Sequence, residues 1–104
     1  MTDYYRGIIS ATSESEAKEI LKRLVNDKLI AGGLISHGIS NHWWEGRIDE
    51  ETYYNVSVFT LPKHRDKIIE IAEILSKDDT PGVVFFKIEY GNSKFLKWIE
   101  DNTV

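Results

Sequence analysis

The chain has 104 residues, of which 41% are hydrophobic and 29% are charged, and its formal net charge is −4. This composition is typical of one globular domain over residues 1–104. A membrane-spanning helix needs about 20 apolar residues in a row, and no run in this chain approaches that length. Lysine and arginine are scattered among acids without a basic face, so neither nucleic acid nor a membrane is an expected partner. Cysteine is absent and the N-terminus lacks a signal-peptide pattern, so we expect a cytoplasmic protein without disulfides or thiolate metal sites.

The first 40 residues predict a strand, a helix and a second strand. Aromatic and β-branched residues dominate 4–11, which is typical of a strand. Ser13 and Glu16 have the spacing of a capping box at a helix start. Apolar residues with a helical period follow them, namely Ala17, Ile20, Leu21, Leu24 and Val25. The helix is predicted to end at 26–28, and the apolar stretch 29–40 predicts a strand that bends at its glycine pair.

The rest of the chain predicts two more strands and two helices. Residues 52–61 alternate as a strand, an apolar stripe in 63–76 indicates a helix, and 83–90 form a further apolar strand. A short terminal helix follows Ser93. The predicted fold class is therefore α+β, a ferredoxin-like βαββαβ antiparallel sheet with a C-terminal helix. Two helices cover one sheet face, and the apolar side chains of the other face favour self-association.

Residues 41–50 join the second and third strands and predict an extended hairpin with its tip at Glu45-Gly46-Arg47. Two adjacent tryptophans precede the tip. They could stack on a ligand, but the enrichment of tryptophan and tyrosine in interfaces favours burial against another subunit. The residues predicted to form this subunit interface or a binding site are Trp43, Trp44, Glu45, Arg47, Tyr53 and Tyr54. Substitution of Trp44 by alanine is expected to weaken the assembly.

Several segments of the chain resemble one known family. They are Ser13-Glu14-Ser15-Glu16-Ala17, Lys28-Leu29-Ile30-Ala31, Trp44-Glu45-Gly46-Arg47-Ile48, Thr80-Pro81, Tyr90-Gly91-Asn92 and Phe95-Leu96-Lys97-Trp98-Ile99. In this order they resemble the CutA family, the divalent-cation-tolerance proteins, over residues 8–99. The resemblance implies a ferredoxin-like homotrimer built by edge-to-edge strand pairing. It also implies a non-enzymatic role in tolerance of, or response to, copper and other divalent cations.

The histidines and the family's cysteine positions bear on metal binding. Imidazole suits copper and zinc, but His37 and His42 lie five residues apart and so should point to opposite faces of a strand. Where the family often carries cysteines, this chain has Ser10 and Gly32. No cofactor is therefore certain. A divalent cation such as copper is implied by the resemblance alone, with His37 and His42 as candidate ligands.

One alternative function and one absence complete the predictions. The family is similar in architecture to the PII signalling proteins, so a trimeric sensor that binds a small anion or nucleotide in a cleft between subunits is the alternative. Lys63, His64 and Arg65 at the start of the second helix could also hold an anion. No nucleophile–base pair or carboxylate dyad can be identified, so an enzyme is not expected.

Overall fold

The computed structural model describes residues 2–104, and in this part of the chain four strands and three helices form. The strands are β1 (Tyr5–Ala11), β2 (Gly32–Trp44), β3 (Arg47–Thr60) and β4 (Val83–Lys87), and the helices are α1 (Glu14–Asn26), α2 (Arg65–Leu75) and α3 (Ser93–Asp101). All strand pairs are antiparallel, in the order β2-β3-β1-β4. The predicted ferredoxin-like fold with an added terminal helix is confirmed.

The start of α1 follows from its capping residues. The backbone amide of Glu16 donates to Ser13 Oγ at 3.2 Å, which satisfies one free donor of the first turn. The Glu16 carboxylate is buried and accepts hydrogen bonds from the amides of Thr12 at 2.8 Å and Lys77 at 2.7 Å. One side chain therefore joins the end of β1, the start of α1 and the loop after α2.

The hydrophobic core lies between the sheet and the two longer helices. We call this side of the sheet the helix face. Strand residues on it alternate with residues on the opposite side, as a period of two requires. The buried core comprises Ile9, Ala11, Ala17, Ile20, Leu24, Leu29, Ile30, Val56, Val58, Ile68, Ile71 and Ala72.

The opposite side of the sheet, called the open face here, is covered only in part. Helix α3 packs on one end of it, where Phe95 meets Phe59 edge-on with ring centroids 5.0 Å apart. The Trp98 ring approaches to 3.0 Å of the position that a Cβ on Gly32 would take. Farther along the face, Leu34 and Val84 are exposed. As predicted, much of the open face is therefore uncovered in the single chain.

The predicted start of β2 and the predicted end of β4 are wrong, for identifiable reasons. β2 begins at Gly32 instead of residue 29, because the Leu29 carbonyl accepts a hydrogen bond from Thr60 Oγ1 at 2.6 Å and lies in a buried turn. β4 ends at Lys87 instead of residue 90, because its partner strand β1 begins at Tyr5 and only one hydrogen bond, from the Ile88 amide to the Tyr4 carbonyl at 2.8 Å, continues beyond that point. Within residues 2–104, no helix is both long and apolar enough to cross a membrane.

The β2–β3 hairpin extends well beyond the rest of the sheet. β1 pairs with β3 only as far as Tyr54, so residues 38–53 pair only with each other. We call residues 38–53 the arm. Its two-residue turn places Glu45 and Gly46 at φ of 49° and 81°, the positive values that a tight hairpin turn requires. The arm contributes to the elongated shape of the chain, which measures 45 × 26 × 20 Å.

Candidate functional site

The arm places its two adjacent tryptophans on opposite sides. Trp43 continues the helix face and lies across from Ile48, with Ile39 on the same side. These three side chains are 72%, 60% and 76% exposed. Trp44 continues the open face and lines a groove, where it is half-buried. Trp44 therefore belongs to a concave site, while Trp43 is largely exposed on the other side of the arm and also borders that site.

The groove lies between the open side of the arm and the loop that follows α2, and its volume is about 930 Å³. The loop, Lys77–Thr80, forms one wall, and the arm forms the other. The full lining is Ser10, Thr12, Gly38, Ile39, Ser40, Asn41, His42, Trp43, Trp44, Asp49, Glu51, Tyr53, Asn55, Lys77, Asp78, Asp79 and Thr80. Of the residues predicted for the site, Trp43, Trp44 and Tyr53 contribute to this lining.

A hydrogen bond joins the two walls of the groove. Tyr53 donates its hydroxyl to Asp78 Oδ2 at 2.7 Å, and the other carboxylate oxygen accepts the Thr80 amide at 3.2 Å. The bond to Asp78 and partial burial raise the pKa of Tyr53 to about 12, with further contributions from the charges of Asp78 and Glu51. The Tyr53 hydroxyl therefore keeps its proton, and remains a hydrogen-bond donor, to higher pH than an ordinary tyrosine does.

The loop wall is also anchored to β1. Ser10 Oγ accepts a hydrogen bond from the Gly82 amide at 2.8 Å, and the Ser10 amide donates to the Gly82 carbonyl at 2.8 Å. Glu16 holds the other end of the loop at the Lys77 amide, at 2.7 Å. Ser10, at a position where the family often carries cysteine, is thus a loop anchor in this chain.

The charges along the groove are mostly negative. Four carboxylates line it, with one lysine, Lys77. Asp49 is paired with Arg47, whose Nε lies 3.2 Å from Asp49 Oδ1. Arg47 itself is largely exposed and Glu45 lies in the turn, so these two predicted residues sit at the tip of the arm.

The histidines are not brought together by the fold. His37 and His42 lie on opposite faces of β2, as the spacing predicted. The His37 ring packs near Tyr54 at 5.3 Å between centroids, and the His42 ring meets Tyr53 edge-on at 5.4 Å. Within residues 2–104, no group of three or more potential metal-ligating His, Asp or Glu side chains converges. One chain alone therefore presents no assembled metal centre among the described residues.

The basic cluster before α2 is largely occupied by structural contacts. His64 is buried and its Nε2 hydrogen bonds with the Val104 carbonyl oxygen at 2.8 Å. Arg65 donates from Nε to the Pro62 carbonyl at 3.1 Å, and its guanidinium lies over the Tyr5 ring at 4.5 Å. Of the three predicted anion ligands, only Lys63 has a side chain that takes part in none of these contacts.

Comparison with known proteins places this architecture in a family. The family model described as CutA1 divalent ion tolerance protein matches residues 7–102. The chain belongs to the CutA1 divalent ion tolerance family. Its predicted resemblance to CutA is thereby confirmed, and the family is named for ion tolerance and not for an enzymatic reaction.

Two curated CutA relatives cover nearly the whole chain. The divalent-cation tolerance protein CutA of Archaeoglobus fulgidus is 33% identical over 93 residues, which span 89% of this chain and 91% of the relative. The protein of the same name from Thermus thermophilus is 30% identical over 97 residues, or 92% of this chain and 94% of the relative. The shared region includes the arm and both walls of the groove.

Solved CutA structures agree with the fold. The structure described as the periplasmic divalent cation tolerance protein CutA from Archaeoglobus fulgidus superposes with a TM-score of 0.92 at 31% identity, covering 95% of this chain and 97% of its own. The CutA1 structure from Oryza sativa reaches 0.94 at 22% identity, covering 99% and 95%. The second match shows the fold alone.

The loop wall of the groove is the part of the site that sequence reasoning missed. Residues 78–82, Asp-Asp-Thr-Pro-Gly, have the sequence pattern of a turn between α2 and β4. Asp78 and Asp79 instead face the arm across the groove. The available signal was the pair of acids beside Thr80-Pro81, one of the segments shared with the CutA family.

Proposed function

We propose that this CutA1 family member is a non-enzymatic homotrimer of divalent-cation homeostasis, and that the arm builds the trimer. The family membership supports a role in cation tolerance. The exposed apolar side of the arm supports the assembly and is the observation that carries the proposal.

The apolar side of the arm needs a partner. Ile39, Trp43 and Ile48 project together from a segment that has no helix packed beneath it. Contiguous exposed apolar side chains of this size mark interaction surfaces on soluble proteins. Tryptophan is also enriched among the residues that contribute most to interface energies. A second copy of the chain is the partner that the family resemblance implies.

The sheet edges supply a way to assemble. β2 is 13 residues long and lies at one edge, and β4 lies at the other. Unpaired strand edges recruit further strands through their free amides and carbonyls. Pairing between two different edges is head-to-tail, and a head-to-tail contact closes into a ring when its rotation permits. Any closed ring satisfies both edges of every copy, and the family resemblance implies a ring of three.

Sedimentation velocity at several concentrations tests the assembly. We expect a single species with the mass of three chains, with no monomer at micromolar concentration. A monomeric boundary at every concentration would remove the trimer while leaving the family membership unaffected.

The proposed ligand includes a divalent cation such as copper, with His37 and His42 as the candidate imidazoles. Because these two lie on opposite faces of β2, any site with both imidazoles would need more than one copy. Calorimetric titration with copper and zinc tests this, and substitution of each histidine by alanine identifies the ligand. No heat with either metal would remove the metal part.

Two further predictions concern the alternative function and the cellular location. The alternative of a PII-like sensor for a small anion gains no support from a groove that carries four carboxylates and one lysine. The expected cytoplasmic location also stays a prediction, and fractionation of cells that express the protein tests it.

A further inference from the structure

The backbone of the arm does little to fix the direction in which the arm projects. Residues 38–53 pair only with each other, because the ladder between β1 and β3 ends at Tyr54. A two-stranded hairpin is only marginally stable by itself in water. Without a further contact to the rest of the chain, the arm would therefore sample several directions relative to the sheet.

One side-chain hydrogen bond supplies such a contact. The Tyr53 hydroxyl, at the base of the arm, donates to Asp78 Oδ2 in the loop after α2 at 2.7 Å. Within residues 2–104, no second side-chain hydrogen bond and no salt bridge joins the arm to the rest of the chain. The acceptor is a carboxylate, and bonds to a charged acceptor are stronger than bonds between neutral groups.

The acceptor belongs to a loop that is itself anchored at both ends. The Lys77 amide donates to the buried Glu16 carboxylate at 2.7 Å, directly before Asp78. At the other end, the Gly82 amide donates to Ser10 Oγ at 2.8 Å. The hydrogen bond from Tyr53 therefore ties the arm to a fixed part of the body, namely the end of β1 and the start of α1.

The direction of the arm matters because its apolar side lies far from its base. Seven residues of β2, 38–44, extend beyond the end of β1, which is about 20 Å at 3.3 Å per residue. A small change of direction at the base consequently moves Trp43 and Ile48 by several ångströms. Interfaces between subunits are packed as densely as protein interiors, so a displacement of that size is enough to spoil the fit.

We propose that the hydrogen bond between Tyr53 and Asp78 holds the arm in the direction in which a second copy of the chain docks on it. This inference rests on the proposed trimer and assigns two positioning residues to it. A chain that lacks the bond has to order its arm during assembly, and the cost of that ordering weakens association. The effect requires no contact between either side chain and the neighbouring copy.

Sedimentation velocity over a range of concentrations tests the proposal on the full chain carrying Tyr53→Phe or Asp78→Asn. We expect the concentration of half-dissociation to rise about tenfold in each variant. The reason is that each of the three arms then populates its docking direction about fivefold less. The double variant should show no further rise, because both substitutions remove the same hydrogen bond.

Two matched controls make the same chemical changes at neighbouring positions. Tyr54→Phe removes a hydroxyl from the opposite face of β3, and Asp79→Asn removes a carboxylate from the next residue of the loop. Both should dissociate at the same concentration as the unsubstituted chain. An equal rise in the controls and in the Tyr53 and Asp78 variants would overturn the proposal.

The unsubstituted chain separates failure of this inference from failure of the proposed function. A trimer whose half-dissociation is the same with and without Tyr53→Phe and Asp78→Asn would overturn the positioning role and leave the trimer intact. An unsubstituted chain that is monomeric at every concentration would overturn the proposed trimer, and this inference with it.

Discussion

At the scale of single residues, Glu16 makes structural contacts that the sequence revealed only in part. The capping-box pattern identified the position, but the carboxylate accepts amides from Thr12 and Lys77, at 2.8 and 2.7 Å. A buried carboxylate with two such donors leaves both unsatisfied when it is removed. We therefore expect Glu16→Ala to lower the free energy of unfolding by about 2–3 kcal/mol, measured by chemical denaturation.

Glu19→Ala is the control for this prediction. Glu19 lies on the same helix but is exposed, and its replacement should change stability by less than about 0.5 kcal/mol. Equal effects of the two substitutions would show that helix propensity or net charge, and not the bridge to the Lys77 loop, accounts for the loss.

Because of Tyr53, the stability of the folded chain is expected to fall at alkaline pH. Its pKa is raised to about 12 in the folded chain, above the ordinary value of 10.0, chiefly by the hydrogen bond to Asp78. The folded state therefore holds the proton more tightly than the unfolded state does. The resulting stabilisation is fully present below about pH 10 and is lost as pH rises toward about 12.

The measurement compares the unsubstituted chain with Tyr53→Phe by denaturation across this range. We expect the substitution to cost about 1 kcal/mol at pH 8, and the difference between the two proteins to shrink as pH rises above 10. Tyrosine absorbance titration gives an independent reading of the raised pKa. A constant difference from pH 8 to 12 would contradict the assigned hydrogen bond.

At the scale of elements, β2 contains two glycines with opposite tolerance for a side chain. A Cβ on Gly33 would lie 2.7 Å from both Leu21 Cδ1 and the Ser57 carbonyl oxygen, so α1 and β3 leave no room for it. A Cβ on Gly38 would meet nothing within 4 Å. We expect Gly33→Ala to destabilise the protein by about 1–3 kcal/mol, because the backbone contact cannot relax by a rotamer change.

Gly38→Ala serves as the matched substitution, with an expected change near zero in the same thermal or chemical denaturation experiment. If both variants unfold at the same denaturant concentration as the unsubstituted chain, the close packing of β2 beneath α1 is wrong.

The strands themselves were predictable in part. Alternation identified β3, and Pro62 marked its end, since proline cannot continue a ladder. The start of β2 was not predictable, because Leu29 and Ile30 are as apolar as strand residues but are buried in a turn that Thr60 caps. Only the tertiary contact with β3 distinguishes this buried turn from a strand.

At the scale of the whole molecule, element order determined the fold class while long-range contacts determined the groove. The β-α-β-β-α-β order and the capping, breaking and turn residues are local signals that agree with one topology. The contact between Tyr53 and Asp78 joins positions 25 residues apart, and no local sequence pattern predicts it. Alternation could place Trp43 and Trp44 on opposite faces, but only the structure shows that Trp44 lies on the open face, the side of the sheet that carries the groove.

The central claim is that the Trp43 side of the arm holds three copies together, and static light scattering tests it most directly. The unsubstituted chain should have a mass of about 36 kDa, three times the 12.0 kDa of one chain. Since Trp43 is 72% exposed in the single chain and Trp44 is half-buried in the groove, Trp43→Ala should dissociate on dilution more readily than Trp44→Ala. A Trp43→Ala variant that stays trimeric at low concentration, while Trp44→Ala dissociates, would contradict the claim.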